Sequence, residues 1–161
     1  DFNWAASDIT EIKRQYNLKK YILLFPFCSP HLTLKKWPYY NDLIKLFMNK
    51  FGEEFKVLIA PSPQEISEAK EIDAISILDN EKALDISQLT SLIKDSSFII
   101  ANDTGPAHIA AHIGAKGLTL FGKHTTAYNV SIERKNFKPI EVSDLKNLGA
   151  EKVFERILQN I

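Results

Sequence analysis

Short, predominantly apolar runs alternate with amphipathic segments along this chain, and the alternation constrains the fold more than any other feature. The runs lie at residues 21–25 (YILLF), 55–60, 98–101 and 118–121. A strand that is apolar on both sides has to be covered on both faces, which is typical of parallel sheets flanked by helices. The pattern therefore predicts an α/β fold with a doubly wound, Rossmann-like parallel sheet.

The segments between these runs carry apolar residues at helical spacing. We expect helices over residues 5–16, 38–51, 63–72, 86–94, 105–113 and 144–161. Two further strands are expected at residues 74–78 and 140–142. Because no linker, repeat or low-complexity stretch interrupts the series, residues 1–161 are predicted to form a single domain.

Charge and cysteine content exclude several classes of protein. The 161 residues include 20 basic and 20 acidic side chains, so the chain lacks the broad positive field of nucleic-acid or anionic-lipid binders. The single cysteine, Cys28, excludes an internal disulfide and fits a reducing compartment. No apolar run approaches the roughly 18 residues of a membrane span, and the first residues lack a signal-peptide pattern. Since residue 1 is not methionine, we expect it to lie inside a longer natural chain or to follow processing.

The loops that follow the strands are expected to carry the chemistry, because ligands of open parallel sheets bind outside the carboxyl ends of strands. The most informative loop is residues 102–108, Asn-Asp-Thr-Gly-Pro-Ala-His. Gly105 allows close approach of backbone to a ligand, and Pro106 suits the first position of a helix. Backbone N–H groups near Thr104 and Gly105 would then bind phosphate or carboxylate. A simple helix cap by Asp103 or Thr104 explains the same residues equally well.

Two other interpretations of this loop are disfavoured. Asp-Thr-Gly at residues 103–105 is the active-site tripeptide of aspartic proteases, but those are β-rich, and here a helix-forming segment follows the only copy. His108 and His112 share a helical face, as zinc ligands can, yet no glutamate follows His108 and no third ligand is evident. We therefore predict no metal site, with His108 beside the anion site and His112 on a helix face or in the core.

Three more loops supply candidate ligand contacts. The loop at residues 26–36 contains Ser29 and Lys35, and a lysine there can either neutralise a phosphate or stay solvated. Glu65 lies in the first turn of a predicted helix. There it can accept hydrogen bonds from ribose hydroxyls or only interact favourably with the helix dipole. Lys123 follows the run at 118–121 and can cover a ligand phosphate or belong to a polar connection.

Several nucleotide and nucleophile signatures are missing. Neither GxGxxG nor GxxxxGK[ST] occurs, which disfavours an NAD(P) domain and a P-loop NTPase. Cys28, at the end of the first strand, is expected to be a buried packing thiol rather than a nucleophile.

Taken together and in order, these loops resemble the C-terminal half of bacterial ADP-heptose:lipopolysaccharide heptosyltransferases, glycosyltransferase family 9. The resemblance rests on LKKWP at residues 34–38, PQE at 63–65, NDTGPAH at 102–108 and LFGKHTT at 120–126, and it spans residues 21–128. It implies the GT-B fold, in which two Rossmann-like halves face each other across a cleft and this half grips the nucleotide sugar.

The resemblance also implies a role for each candidate residue. The implied contacts are Asp103 with sugar hydroxyls, Thr104 and Gly105 with the diphosphate, Lys35 with the leaving phosphate, Glu65 with the ribose, His108 lining the pocket, and Ser29 and Lys123 as further donor contacts. The donor, ADP-heptose by resemblance, is a substrate, so no cofactor is implied. An N-terminal half absent from this chain is expected to contact the lipopolysaccharide acceptor and to supply the general base, for which this chain shows no candidate. The implied location is the cytoplasm, at the inner face of the bacterial inner membrane.

The chain departs from the family pattern in two loops. Phe27 and Cys28 stand where a glycine-rich turn is usual, and Lys123 and His124 replace Pro-Thr after Leu-Phe-Gly. The second departure either adds charge to the diphosphate site or fits a different nucleotide-diphospho sugar as donor. A non-catalytic nucleotide- or sugar-binding module is the alternative interpretation of the same features.

Overall fold

The computed structural model describes residues 3–28, 32–123 and 127–161. The strands within these ranges form one parallel sheet. In chain order the strands are β1 (Tyr21–Phe25), β2 (Lys56–Ile59), β3 (Ile75–Ser76), β4 (Phe98–Asn102), β5 (Gly117–Phe121) and β6 (Phe137–Glu141). Their order across the sheet is β3-β2-β1-β4-β5-β6, and every neighbouring pair is parallel. This is the strand order of a doubly wound fold, as predicted.

Helices connect the strands on both faces. They are α1 (Thr10–Gln15), α2 (Tyr40–Phe51), α3 (Ile86–Lys94), α4 (Gly105–His112), α5 (Ala127–Val130) and α6 (Ala150–Asn160). Single 3-10 turns cover Asn3–Ala5, Thr33–Lys35, Gly52–Glu54, Pro63–Glu65, Glu68–Glu71 and Leu145–Asn147. Within the described ranges, none of these helices has the length and apolar character needed to cross a bilayer.

The central strand β1 shows why the sheet needs both layers of helices. All five of its residues are buried. Ile22 and Leu24 join the apolar cluster that includes residues of α2 and α6, whereas Tyr21, Leu23 and Phe25 join the cluster that includes residues of α1, α3 and α4. Successive side chains of a strand point to opposite faces, so an apolar run is stable only when both faces are covered.

The predicted helix at residues 63–72 is wrong. The segment instead forms the 3-10 turns Pro63–Glu65 and Glu68–Glu71. Its apolar residues Ile66, Ala69 and Ile72 recur every third position, which matches the three residues per turn of a 3-10 helix better than the 3.6 of an α-helix.

The two terminal helices are shorter than predicted. The first begins at Thr10 instead of residue 5, because residues 3–5 form a separate 3-10 turn and the backbone N–H of Thr10 donates to Oδ1 of Asp8 at 2.9 Å. The last begins at Ala150 instead of residue 144, because Gly149 takes an extended conformation as its N-terminal cap. By contrast, α3 matches its predicted bounds.

Gly117 occupies the tightest glycine position described in the sheet. A Cβ built there would lie 2.5 Å from the carbonyl oxygen of Ile99 and 2.7 Å from Cε2 of Phe137. Ile99 is its register partner in β4 and Phe137 its partner in β6. The close packing of β5 between these two strands therefore requires a residue without a side chain.

We expect Gly117→Ala to lower the free energy of unfolding by about 1–3 kcal/mol, because backbone atoms must shift to admit the methyl group. Urea denaturation of both proteins measures the difference. Gly105→Ala is the matched control, since a Cβ at Gly105 meets nothing within 4 Å. Equal losses in the two variants would contradict the steric argument.

Candidate functional site

A cleft of about 620 Å³ opens at the carboxyl ends of β1, β2 and β4. Its walls come from residues 24–28, 59–65 and 103–106, with Leu84 and Leu89 from the start of the α3 region. In the sheet, β2 and β3 lie on one side of β1, and β4, β5 and β6 lie on its other side. The cleft therefore lies where the strand order reverses. Such switch points are the ligand sites of open α/β sheets, and the volume suits a small organic ligand.

An ion pair between Lys35 and Asp103 lies in this cleft. Nζ of Lys35 is 3.1 Å from Oδ2 of Asp103, whose side chain is only 7% exposed. Nε2 of His108, one turn into α4, is 3.8 Å from the other carboxylate oxygen. The 3-10 turn Thr33–Lys35 after β1 and the loop after β4 bring these groups together. The structure thus places three predicted site residues next to one another.

Thr104 precedes α4 and has an unusual environment. Its extended backbone makes it the N-terminal cap residue, yet its side chain forms no capping hydrogen bond. Its hydroxyl oxygen is buried and has no hydrogen-bond partner among the described residues. The simple capping interpretation therefore fails for Thr104. A buried hydroxyl that lacks a partner costs stability, and this one belongs to a residue of the cleft wall.

Gly105, the next residue, leaves open space in the cleft at the start of α4. It is exposed, lines the cleft and starts α4, and a Cβ there would touch no other residue of the described chain. The protein's own packing therefore does not require glycine here. The N-terminus of α4 carries the positive end of the helix dipole, so the arrangement can accept a phosphate close to the backbone.

Glu65 is held at the cleft wall by a capping box. The backbone N–H of Ser62 donates to Oε1 of Glu65 at 2.9 Å, and the Ser62 side chain accepts from the backbone of Glu65 in return. Glu68 also lines the cleft, where its carboxylate lies 3.0 Å from Nζ of Lys36. The cleft wall therefore carries the carboxylates of Glu65 and Glu68 in addition to that of Asp103.

A buried hydrogen-bond network, which sequence reasoning missed, supports the site from below. The Tyr40 hydroxyl donates to Oδ1 of Asn102 at 2.9 Å, and Nδ2 of Asn102 donates to the carbonyl oxygen of Pro26 at 2.9 Å. Burial raises the pKa of Tyr40 well above its usual value, so the hydroxyl remains a donor. Trp37 packs edge-on against Tyr40, with ring centroids 4.9 Å apart. The sequence signal for this network was Asn102 itself, a polar amide directly after an apolar strand, where it needs buried hydrogen-bond partners.

Other predicted residues lie elsewhere. His112 is exposed, with Nδ1 2.8 Å from the carbonyl oxygen of His108 and Nε2 3.3 Å from Arg134. Lys123 is exposed after β5 and is not among the described residues that line the cleft. Ser29 lies outside the described residues. No group of three or more side chains suited to hold a metal ion occurs within the described ranges.

Cys28 lines the cleft and is half-buried, not fully buried as expected. Its thiol donates to the carbonyl oxygen of Leu32 at 3.3 Å. Burial raises the pKa of the Cys28 thiol, and the nearby Lys36 and Lys35 only partly oppose this effect. The protonated thiol is a poor nucleophile, in line with a packing role.

Comparison with known proteins identifies one family. The model of glycosyltransferase family 9 (heptosyltransferase) matches residues 3–154. No curated protein matches the chain.

Several solved structures are similar to this chain. The ADP-heptose lipopolysaccharide heptosyltransferase II of E. coli superposes with a TM-score of 0.76 at 19% identity, covering 93% of this chain and 50% of that one. The E. coli heptosyltransferase WaaC with ADP gives 0.75 at 18% identity, covering 97% and 50%. S. aureus MnaA with UDP gives 0.64 at 17% identity, covering 98% and 41%. At these identities the likeness shows the fold, the Rossmann-like α/β fold found in GT-B glycosyltransferases. The chain spans about half the length of the first two structures.

Tyr40→Phe tests the buried network. We expect it to lower the free energy of unfolding by about 1–3 kcal/mol, because Oδ1 of Asn102 loses its donor inside the protein. Tyr39→Phe is the matched control, since the Tyr39 hydroxyl donates to the carbonyl oxygen of Lys146 in an exposed position. That change should cost about 1 kcal/mol or less. Urea denaturation measures the free energy of unfolding of both variants. An equal loss would contradict a greater stabilisation by the buried network than by an exposed hydrogen bond.

Proposed function

Because the chain belongs to glycosyltransferase family 9, we propose that it is the donor-binding C-terminal half of a GT-B glycosyltransferase. The proposed enzyme transfers a sugar, heptose as the leading hypothesis, from an ADP-sugar to a lipopolysaccharide-type glycan. The observation that carries the proposal is the buried hydroxyl of Thr104, which has no hydrogen-bond partner among the described residues and lines the same cleft as Lys35 and the open helix start at Gly105. These are hydrogen-bond donors and a positive charge gathered at the switch point of the sheet.

The diphosphate of the donor is proposed to bind at this group. Lys35 supplies a full positive charge, Gly105 its backbone N–H and Thr104 its hydroxyl. Since the chain has no net charge, such a local arrangement has to provide the attraction for phosphate. The same groups would stabilise the negative charge that develops on the departing diphosphate during transfer.

The nucleoside is proposed to lie against the opposite wall of the cleft. Leu84, Leu89 and Pro61 provide an apolar surface there for a base. Glu65, held by its capping box, would accept hydrogen bonds from ribose hydroxyls with its carboxylate. This division of apolar walls and few polar groups is usual for small-molecule sites.

The rest of the reaction is proposed to depend on a second half. An acceptor hydroxyl needs a general base to remove its proton as it attacks the sugar. We propose that an N-terminal half contacts the acceptor and supplies this base, since the chain spans only about half the length of the solved heptosyltransferases. The reaction as proposed takes place at the cytoplasmic face of the membrane and needs neither a cofactor nor a metal.

Titration calorimetry with ADP tests donor binding. We expect saturable binding to the native chain and at least a tenfold weaker affinity for Lys35→Ala, because a hydrogen bond from a charged group contributes about 1.5–3 kcal/mol. Lys36→Ala is the matched control, since Lys36 pairs with Glu68 and does not line the cleft. Its affinity should stay within about threefold of the native value, by the small energies of exposed ion pairs.

Gly105→Ala extends the same test. The methyl group should weaken ADP binding because it enters the space proposed for the phosphate, while the free energy of unfolding stays the same or rises slightly. A native chain that shows no saturation with either ADP or ADP-heptose at millimolar concentration would overturn the proposed function. Donor binding without any turnover by the full natural protein would instead favour a non-catalytic binding module.

A further inference from the structure

A diphosphate in the cleft would need the positive charge of Lys35, but Lys35 already forms an ion pair with Asp103. Lys35 is the one basic residue among the described residues that line the cleft, and Asp103, Glu65 and Glu68 are the acidic ones. The Asp103 carboxylate is almost fully buried and lies 3.1 Å from the Lys35 ammonium. A bare diphosphate therefore competes with Asp103 for Lys35 and lies close to a buried negative charge.

A sugar on the diphosphate changes this balance. Asp103 directly precedes Thr104 and the start of α4, where the phosphates are proposed to bind. Sugar hydroxyls are hydrogen-bond donors, and an ionised carboxylate only accepts. They can replace the bond from Lys35 that weakens when Lys35 turns to the phosphate. A bare nucleoside diphosphate brings phosphate oxygens in place of those hydroxyls.

We propose that Asp103 makes the site prefer the sugar-bearing donor over the bare nucleoside diphosphate and so promotes release of the product. The inference rests on the proposed function. During transfer, the bond between the anomeric carbon and the phosphate oxygen breaks, and its electron pair stays on that oxygen. The acceptor oxygen bonds to the anomeric carbon and yields its proton to the general base. The diphosphate thus gains negative charge next to Asp103, while the hydroxyls that had donated to the Asp103 carboxylate leave with the sugar.

Calorimetric titrations with ADP and with ADP-heptose test the proposal on the native chain and on Asp103→Asn. The asparagine keeps the size of the side chain, removes its charge and weakens its bond to Lys35. We expect ADP to bind at least tenfold more tightly to Asp103→Asn, a change of about 1.4 kcal/mol or more. ADP-heptose should bind no more tightly than to the native chain, so the preference for the donor falls by at least tenfold.

Glu68→Gln is the matched control, because Glu68 lines the same cleft but pairs with Lys36. It removes one negative charge without freeing Lys35, and both affinities should stay within about threefold of the native values. An equal gain in ADP affinity for Glu68→Gln would reduce the effect to general charge and overturn the specific role of Asp103.

The outcomes separate the two proposals. If the native chain binds neither ADP nor ADP-heptose, the proposed function fails. If the native chain binds both, but Asp103→Asn leaves the ADP affinity within about threefold, only the role of Asp103 fails. Should Asp103→Asn not fold, Asp103→Ser is read in the same way. The native chain alone also provides a test, since ADP binding as tight as that of ADP-heptose would overturn the inference.

Discussion

The hydrogen bonds of Asn102 hold together the part of the molecule on which the site depends. This fully buried side chain joins the end of β4 to Pro26, just beyond the end of β1, and accepts a hydrogen bond from Tyr40 at the start of α2. A buried amide has to satisfy both its donor and its acceptor. The two strand ends are therefore held side by side at the switch point, and the loop that carries Asp103 leaves the sheet in a defined direction.

Local placement of charge, and not the charge of the whole chain, determines what the cleft can bind. Equal numbers of acidic and basic residues remove any long-range attraction for anions. In the cleft, the described acidic residues outnumber Lys35, and Lys35 is itself paired with Asp103. Affinity for a phosphate then has to come from short-range bonds at the start of α4, which links ligand choice closely to the geometry around Thr104 and Gly105.

The sequence predicted those elements whose physical requirement is local. The strand Tyr21–Phe25 was found at its true bounds because full burial demands a continuous apolar run. The helix Ile86–Lys94 was found too, and the structure shows a capping box between Asp85 and Gln88 at its start. The segment at 63–72 was mistaken for an α-helix, since spacings of three and four residues are hard to tell apart in ten positions.

For the site, the order of the loop motifs determined the family, and the family match confirms it. The resemblance also implied that Lys35, Asp103 and Thr104 contact one donor, and the expectation that ligands bind beyond the carboxyl ends of the strands selected the loops that carry them. The sequence did not reveal that Asp103 holds Lys35 in an ion pair, that the buried Thr104 hydroxyl has no partner among the residues the structure describes, or that Tyr40 supports Asn102. Those facts depend on contacts between residues far apart in the chain. Such contacts exist only once the strands have paired and the helices have packed, so only the tertiary structure could decide them.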